Sequence, residues 1–369
     1  MRYAADRYAR KGGDLATGRD AVDVAVMGGG AFGLAAALAC ARRGAAVRLV
    51  EARHIGAGAS GGLVGALAPH APEGWTPLKA LQLEALVAAP AWWAEVARDG
   101  GIDPGFARTG RVQPLADAEA VARARARAEG AAAHWPATAR WEVLPADRVP
   151  GLVVHSPTGL VVHDTLSARL HPRRACAALA GALRAAGGVI VEGAGHAAEP
   201  GPAAAVVWAT GWEGLTALRD ARNRPLGGGV KGQALALRLA AAGAPQISAP
   251  GLHIVPHADG TVAIGSTSER DFDTPDGTDA QLDAVLARAV AACPALAAAP
   301  VIERWAGVRP RARTRAPVVG AWPGRPGHYV ANGGFKIGFA LAPLLAERLA
   351  ELLLDGRNRL PPGLAPAAD

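Results

Sequence analysis

A glycine-rich segment and an acidic residue near the start of the chain have the spacing of a nucleotide-binding site. The segment reads Gly28-Gly29-Gly30-Ala31-Phe32-Gly33, and Glu51 follows 23 positions after Gly28. Glycines let the backbone turn tightly and approach a pyrophosphate, while an acid at this distance accepts hydrogen bonds from a ribose diol and repels a 2′-phosphate. The pattern predicts an FAD or NAD site. Its contacts would be Gly28, Gly30, Ala31, Phe32, Gly33 and Glu51.

A second loop of small residues follows the acid directly. It reads Gly56-Ala57-Gly58-Ala59-Ser60-Gly61-Gly62-Leu63-Val64-Gly65. A nicotinamide enzyme does not require such a loop. In a flavoprotein, small residues here would let the backbone lie against the ribityl chain and the edge of the isoalloxazine ring. The loop therefore favours FAD, with Ala59, Ser60 and Gly61 in contact with it.

The elements that would position these residues can be recognised in the same part of the chain. Val22–Met27 is short and rich in valine, as expected of a buried parallel strand, and residues 34–43 have the composition of a helix. Val47–Val50 would be the second strand, ending at the acid. The helix would direct its free N–H groups at the phosphates. Further along, an apolar strand ending at Gly211 would return the chain to the same sheet.

Composition indicates a globular protein large enough for two domains. Of its 369 residues, 50% are hydrophobic, and charged residues interrupt every long apolar stretch. Residues 1–20 are polar and basic, which predicts a loose extension before the first strand and no secretory signal. Three separated cysteines in apolar surroundings indicate buried thiols in a reducing cytoplasm, with neither a disulfide nor a metal site. They are Cys40, Cys176 and Cys293.

The net charge of +7 has two interpretations. Five arginines lie within twelve positions: Arg304, Arg309, Arg311, Arg313 and Arg315. Such a cluster could form a nucleic-acid surface. It could equally reflect a composition biased towards arginine, with a few cations collected around an anionic cofactor and substrate. We favour the second interpretation and expect no nucleic-acid partner.

Several motifs in order resemble the D-amino-acid oxidase superfamily, above all its glycine oxidase and sarcosine oxidase branch. The resemblance spans about residues 22–354 and is weakest over 75–150. The motifs that carry it include the amino-terminal unit, Ala59-Ser60-Gly61, Gly232-Gln233, Ile254-Val255-Pro256, Gly307-Val308-Arg309-Pro310 and Asn332-Gly333-Gly334-Phe335-Lys336-Ile337-Gly338.

The resemblance implies oxidation of a carbon–nitrogen bond by FAD. In this family a hydride passes from the α-carbon to flavin N5, the amine becomes an imine, and water hydrolyses the imine; oxygen often reoxidises the flavin. Arg309 matches the arginine that holds the substrate carboxylate. A guanidinium suits this role because its planar fork fixes the position and tilt of a carboxylate. The substrate would be glycine, an N-methylated amino acid or a D-amino acid.

The glycine-rich segment 333–338 precedes a helix-like run, so the resemblance and the dipole of that helix place it at the flavin N1–C2=O edge. The expected contacts there are Gly333, Gly334, Phe335, Lys336, Ile337 and Gly338. Lys336 stands where relatives often carry arginine. It either contacts the flavin or assists oxygen, or it is an exposed lysine.

Two features depart from the family pattern. Where relatives place a tyrosine near the substrate, this chain has His253. Either His253 replaces that tyrosine as a hydrogen-bonding group or base, or it points away from the flavin. Its spacing to His257 does not suggest a metal, because both residues lie in a strand and turn. No cysteine follows Cys293, so the FAD should be non-covalent.

The expected fold class is α/β, with a Rossmann-like FAD-binding domain and an inserted antiparallel-sheet substrate domain. Residues 1–80, 151–222 and 317–369 would form the first domain, and residues 81–150 and 223–316 the second. A hairpin containing Thr261–Gly265 would belong to the second sheet. A homo-oligomer is compatible with the sequence.

Alternative functions remain at this stage. The same half-reaction could deliver electrons to a quinone or a protein instead of oxygen, and the residues offer no test of this. The excess of basic residues suggests a third function, and the segment 58–69 also resembles the oxidase half of a tRNA-modifying enzyme. Such a protein would bind tRNA at low salt. A non-catalytic flavin-binding scaffold is least favoured, because it would not require Arg309.

Overall fold

The computed structural model of the protein describes residues 21–220 and 222–366, so the extension expected over residues 1–20 lies outside the described part. The strands are β1 (Val22–Met27), β2 (Val47–Val50), β3 (Ala66–Leu67), β4 (Arg111–Pro114), β5 (Trp141–Pro145), β6 (Leu160–Asp164), β7 (Ala168–Arg169), β8 (Val189–Val191), β9 (Ala203–Trp208), β10 (Gly227–Arg238), β11 (Gln246–Ala249), β12 (Leu252–Pro256), β13 (Thr261–Gly265), β14 (Val301–Ala312), β15 (Val318–Ala321) and β16 (His328–Asn332). The α-helices are α1 (Ala31–Arg42), α2 (Pro77–Gly100), α3 (Ala118–His134), α4 (Pro172–Ala185), α5 (Gly211–Ala217), α6 (Gln281–Ala292) and α7 (Gly338–Asp355).

The first sheet has the strand order β15-β16-β9-β1-β2-β8. Its neighbours from β16 to β8 are parallel, and β15 adds an antiparallel edge. The strand β1 is central, and its last four residues are buried, which explains its nearly continuous apolar sequence. The predicted strands Val22–Met27 and Val47–Val50 are confirmed.

The helix α1 packs against β1 and α7 in the largest hydrophobic core. It begins at Ala31, three residues earlier than expected, because the chain turns into the helix directly after Gly30. Almost every α1 residue is buried, and half are alanine, which lets its neighbours approach closely on all sides. The helix therefore holds the glycine loop at one end of the sheet.

The second sheet has the order β14-β10-β13-β12-β11-β4-β6-β5. All its neighbours are antiparallel except β11 and β4. The expected hairpin is present as β12 and β13. One face packs its branched apolar side chains on α6. The expected fold class, mixed α/β with a Rossmann-like parallel sheet and a largely antiparallel one, is confirmed.

Two elements cross the expected domain boundaries. The strand β6 lies in the range 151–222, yet it pairs with β4 and β5 in the second sheet. The helix α2 extends into the range 81–150, yet it packs on α4 and α7 beside the first sheet. Its apolar residues complete the core around α1, so packing rather than chain order decides where it lies. The division into two domains stays a prediction.

The three cysteines are free and buried, as expected. Burial raises the pKa of Cys40 and of Cys176 to about 12, so both thiols stay protonated at neutral pH. Within residues 21–220 and 222–366, no group of three or more His, Cys, Asp or Glu side chains could hold a metal ion. No helix in the same ranges is long and apolar enough to cross a membrane.

Candidate functional site

A crevice of about 370 Å³ lies at the carboxyl ends of β1, β2 and β9. This end of a parallel sheet is where nucleotides bind in doubly wound folds. The crevice brings together eight of the residues singled out in the sequence: Gly28, Gly30, Ala31, Phe32, Glu51, Ala59, Ser60 and Gly211. It does not include Gly33 or Gly61, which lie behind its wall.

The glycine loop is held in a shape that side chains would prevent. A Cβ atom on Gly28 would overlap the carbonyl oxygen of Ala209, and one on Gly33 would overlap the carbonyl oxygen of Gly28. Glu51 ties the loop to β2, because its Oε2 accepts a hydrogen bond from the N–H of Gly29 at 2.6 Å. The bare backbone beside an acid fits the pyrophosphate and ribose of FAD.

The second loop meets the first at Ser60. Its Oγ accepts a hydrogen bond from the N–H of Ala31 at 3.0 Å, at the start of α1. Residues Ala59–Gly61 form a single 3₁₀ turn, and a Cβ on Gly61 would overlap the carbonyl oxygen of Gly56. The two loops thus form one continuous cradle of backbone and small side chains.

Two polar side chains of the crevice contact each other. His196 Nδ1, from the segment after β8, lies 3.2 Å from Glu213 Oε2 in α5, and both residues line the crevice. The rings of Trp208 and Trp212 line it as well. Sequence analysis missed these residues. Trp208 ends a predicted strand and could have been found, whereas no pattern marks His196.

Arg309 lies on β14 with its guanidinium held by three neutral acceptors. Nη1 donates to Ser266 Oγ at 2.8 Å, and Nη2 donates to the carbonyl oxygens of Thr267 at 2.8 Å and Lys231 at 3.1 Å. A Cβ on Gly232 would lie 2.6 Å from Arg309 Nη2, so glycine leaves room for the guanidinium. Arg309 Nε is buried without a hydrogen-bond partner. That donor has no acceptor in the described part of the protein.

His253 and Arg309 lie on the same face of the second sheet. His253 pairs with Gly265 across β12 and β13, and Ser266, which accepts from Arg309, follows Gly265. The residues that alternate with His253 and Arg309 along their strands carry the branched side chains that pack on α6. His253 and Arg309 therefore lie on the face of the sheet that points away from α6. It faces the second loop, since a Cβ on Gly265 would lie 2.8 Å from Val64 Cγ2.

Burial lowers the pKa of His253 to about 4, and the positive charges of Arg111, Lys336 and Arg309 lower it further in the same direction. The ring is therefore neutral at pH 7. Its Nδ1 is buried without a hydrogen-bond partner. The structure places this histidine in the same electrostatic surroundings as Arg309 and Lys336.

The segment 333–338 connects the first sheet to α7 and does not line the crevice. The N–H of Phe335 donates to the carbonyl oxygen of Pro310 at 3.1 Å, which holds the segment against β14. Phe335 has a positive φ of 45°, and Gly334 packs so closely on the ring of Phe32 that a Cβ would overlap it. Lys336 is exposed, with Nζ 5.7 Å from the centroid of the Phe335 ring.

A buried polar network lies behind the Arg309 guanidinium, and sequence analysis missed it. Gln233 Nε2 donates to Glu269 Oε1 at 3.1 Å and to Asp279 Oδ1 at 2.9 Å. Lys231 Nζ lies 3.7 Å from Glu269 Oε2. Gln233 N–H also donates to Thr267 Oγ1 at 2.8 Å. The network holds the backbone carbonyls that fix Arg309, and its members are too far apart in the chain to form a motif.

His257 makes a contact that connects two parts of the fold. Its Nε2 lies 2.9 Å from the carbonyl oxygen of Leu63, which joins the second sheet to the second glycine loop. Its ring centroid is 5.1 Å from that of His171.

Two arginines of the basic cluster pair with acids, Arg304 with Asp283 and Arg313 with Asp220. They do not present one continuous positive face.

Three comparisons with known proteins agree with this geometry. The family model described as "DAO: FAD dependent oxidoreductase" matches residues 23–352. A glycine oxidase of Pseudomonas aeruginosa is 34% identical over 141 residues, but the match covers 37% of this chain and only 38% of that protein's length. A glycine oxidase of Geobacillus kaustophilus is 28% identical over 90% of this chain and 92% of its own length. The crystal structure of glycine oxidase from that organism superposes with a TM-score of 0.81 at 23% identity, covering 95% of this chain and 99% of the other, and it shows the shared fold.

Proposed function

Because this chain belongs to the DAO family of FAD-dependent oxidoreductases, we propose that it oxidises the C–N bond of a small amino acid or secondary amine. As a family member it is an FAD-dependent amine or amino-acid oxidoreductase. Glycine, an N-methylated amino acid or a D-amino acid is the proposed substrate, and oxygen is the proposed electron acceptor. The product is an imine, which water hydrolyses to a 2-oxo acid or an aldehyde.

The proposal rests chiefly on the setting of Arg309. Three neutral acceptors hold its guanidinium in one orientation, while Nε remains without a partner. A carboxylate bound there would be fixed in position and tilt, which is how an enzyme aligns an α-carbon for reaction. When bound, FAD supplies the two-electron acceptor for the α-carbon hydride.

His253 would act beside Arg309 as a neutral hydrogen-bonding group. Its depressed pKa keeps a lone pair on the ring at neutral pH, so it can accept a hydrogen bond from the substrate amine. Because the ring carries no charge, it does not compete with Arg309 for the substrate carboxylate. This role replaces the tyrosine that relatives carry.

The test is anaerobic reduction of the flavin absorption band by glycine, sarcosine, D-alanine and D-proline. We expect one of them to bleach the band, and Arg309→Ala to lower kcat/KM for it at least about ten-fold, since the variant loses a charged hydrogen-bond donor to the substrate carboxylate. Arg125→Gln removes an exposed arginine from α3 and is the charge-matched control. Peroxide formed in air identifies oxygen as the acceptor.

If no amine bleaches the band while dithionite does, the proposed function is wrong. If an amine bleaches the band equally in the wild type and in Arg309→Ala, the enzyme class stands but Arg309 is not the carboxylate site.

A further inference from the structure

Three positive side chains surround the ring of Phe335. The Cζ atoms of Arg309 and Arg311 lie 5.6 Å and 5.5 Å from the ring centroid, and Lys336 Nζ lies 5.7 Å from it. Arg309 and Arg311 are two positions apart on β14 and therefore project from the same face of the strand. We call these three side chains the cationic trio.

No member of the cationic trio forms an ion pair with an acid in the described ranges. The neighbouring Arg304 and Arg313 both do, at Asp283 and Asp220. The Arg309 side chain donates only to neutral acceptors, and the Arg311 side chain forms no hydrogen bond to the protein within residues 21–220 and 222–366. Glu269 attracts Arg309 electrostatically but also lies 3.7 Å from Lys231 Nζ, so the cationic trio keeps a net positive charge around the Phe335 ring.

This arrangement costs free energy in the absence of an anion. Although part of Lys336 is exposed, partial burial lowers its pKa, and the charges of Arg309 and Arg311 lower it further, which reflects repulsion within the cationic trio. The face of an aromatic ring attracts a cation only weakly in comparison with a carboxylate. His253 is neutral and supplies no counter-charge. An anionic ligand at the cationic trio would lower this cost.

One carboxylate can neutralise only one member of the cationic trio. We propose that the substrate is an amino acid or secondary amine with two carboxylates, one bound by Arg309 and the other by Arg311 and Lys336. This inference rests on the proposed function and names its substrate class. The second carboxylate is attached either through the nitrogen or through a short side chain, and both attachments share the same chemistry at the cationic trio.

The experiment compares monocarboxylates with matched dicarboxylates on the FAD-loaded enzyme. Anaerobic flavin reduction is measured with sarcosine against iminodiacetate and with D-alanine against D-aspartate. We expect kcat/KM to be at least ten-fold higher for one dicarboxylate than for its monocarboxylate partner. In a second readout without turnover, malonate should perturb the flavin spectrum at a concentration at least ten-fold lower than acetate requires.

The variant Arg311→Gln tests whether Arg311 binds the second carboxylate of the substrate or serves the flavin. Arg125→Gln again serves as the charge-matched control. We expect Arg311→Gln to lower kcat/KM for the dicarboxylate at least ten-fold more than for the monocarboxylate, with the larger part of the change in KM. If Arg311 served the flavin instead, both substrates would lose activity by the same factor, and the inference would be overturned.

Failure of the inference can be told apart from failure of the proposed function. If monocarboxylates reduce the flavin as efficiently as dicarboxylates, the dicarboxylate substrate is wrong and amine oxidation stands. If no amine of either class reduces a flavin that dithionite reduces, both are wrong.

Discussion

His253 shows how one side chain at the site keeps a fixed charge state. Its ring is buried on the face of the second sheet that carries Arg309, and three neighbouring cations add to the effect of burial. Both influences disfavour the protonated ring, so its pKa falls from 6.5 to about 4. The sequence identified His253 by its place in the motif but left its direction open, because the pattern of a strand does not reveal which face covers the cofactor.

This histidine should make the folded protein less stable in acid. Between pH 6.5 and 4 the unfolded chain takes up a proton at His253 that the folded chain does not, so the free energy of unfolding falls as the pH falls. The lost stability is at most about 3 kcal/mol. His257 titrates in the same window, so the wild-type profile contains both contributions.

The variant His253→Gln isolates the effect, because glutamine does not titrate. We expect the stability difference between wild type and variant to change with pH between 6.5 and 4, in the direction that favours the variant in acid. Urea unfolding followed by circular dichroism at several pH values measures this difference. A stability difference that does not change with pH would show that the pKa of His253 is not lowered in the folded protein.

The packing of α1 on β1 is the element that shapes the cofactor crevice. Its first turn passes directly over the glycine loop, with Gly33 against the carbonyl of Gly28. Only a residue without a side chain allows that approach, so we expect Gly33 to support FAD binding through the packing of α1.

Gly33→Ala should therefore move α1 away from β1 and weaken FAD binding. The added Cβ overlaps backbone, which cannot rotate away, and overpacking of this kind costs about 1–3 kcal/mol. We expect the dissociation constant of FAD, measured by flavin fluorescence, to rise at least ten-fold. Gly243→Ala is the matched control, because its Cβ would meet open space and its φ is not positive. Equal FAD affinity in the two variants would contradict this account.

The sequence predicted local elements well and long-range arrangements poorly. The strands β1 and β2 follow from a short-range pattern, because each is a short apolar run that ends at a glycine or an acid. The pairing of β6 with β4 and β5, and the network around Gln233, depend on contacts between distant parts of the chain. No local pattern records such contacts.

At the scale of the whole molecule, a buried ion pair joins strands of the second sheet. Arg111 Nε donates to Asp164 Oδ2 at 2.7 Å, linking β4 to β6, and Asp164 Oδ1 accepts from the N–H of Ser167 at 2.8 Å. Asp164 is fully buried and Arg111 is 7% exposed. The pair therefore holds β6 in the second sheet.

Asp164→Asn should destabilise the whole protein, because it leaves Arg111 buried without a counter-charge. Breaking a buried pair in this way costs about 3–5 kcal/mol. Glu119→Gln, which removes an exposed partner of Arg123 on α3, should cost below about 0.5 kcal/mol. Thermal unfolding of both variants compares them directly. Similar losses in the two would mean that the buried pair is not a principal support of the sheet.

The strand β14 divides its two faces between two tasks. Val308 and Pro310 line the cofactor crevice, while Arg309 and Arg311 project from the opposite face towards Phe335. Because side chains alternate along a strand, a mutation at 309 or 311 leaves the crevice wall intact. If Arg309 and Arg311 bind the substrate as proposed, a descendant of this enzyme could acquire a preference for a new amine by changes at two codons while retaining its affinity for FAD.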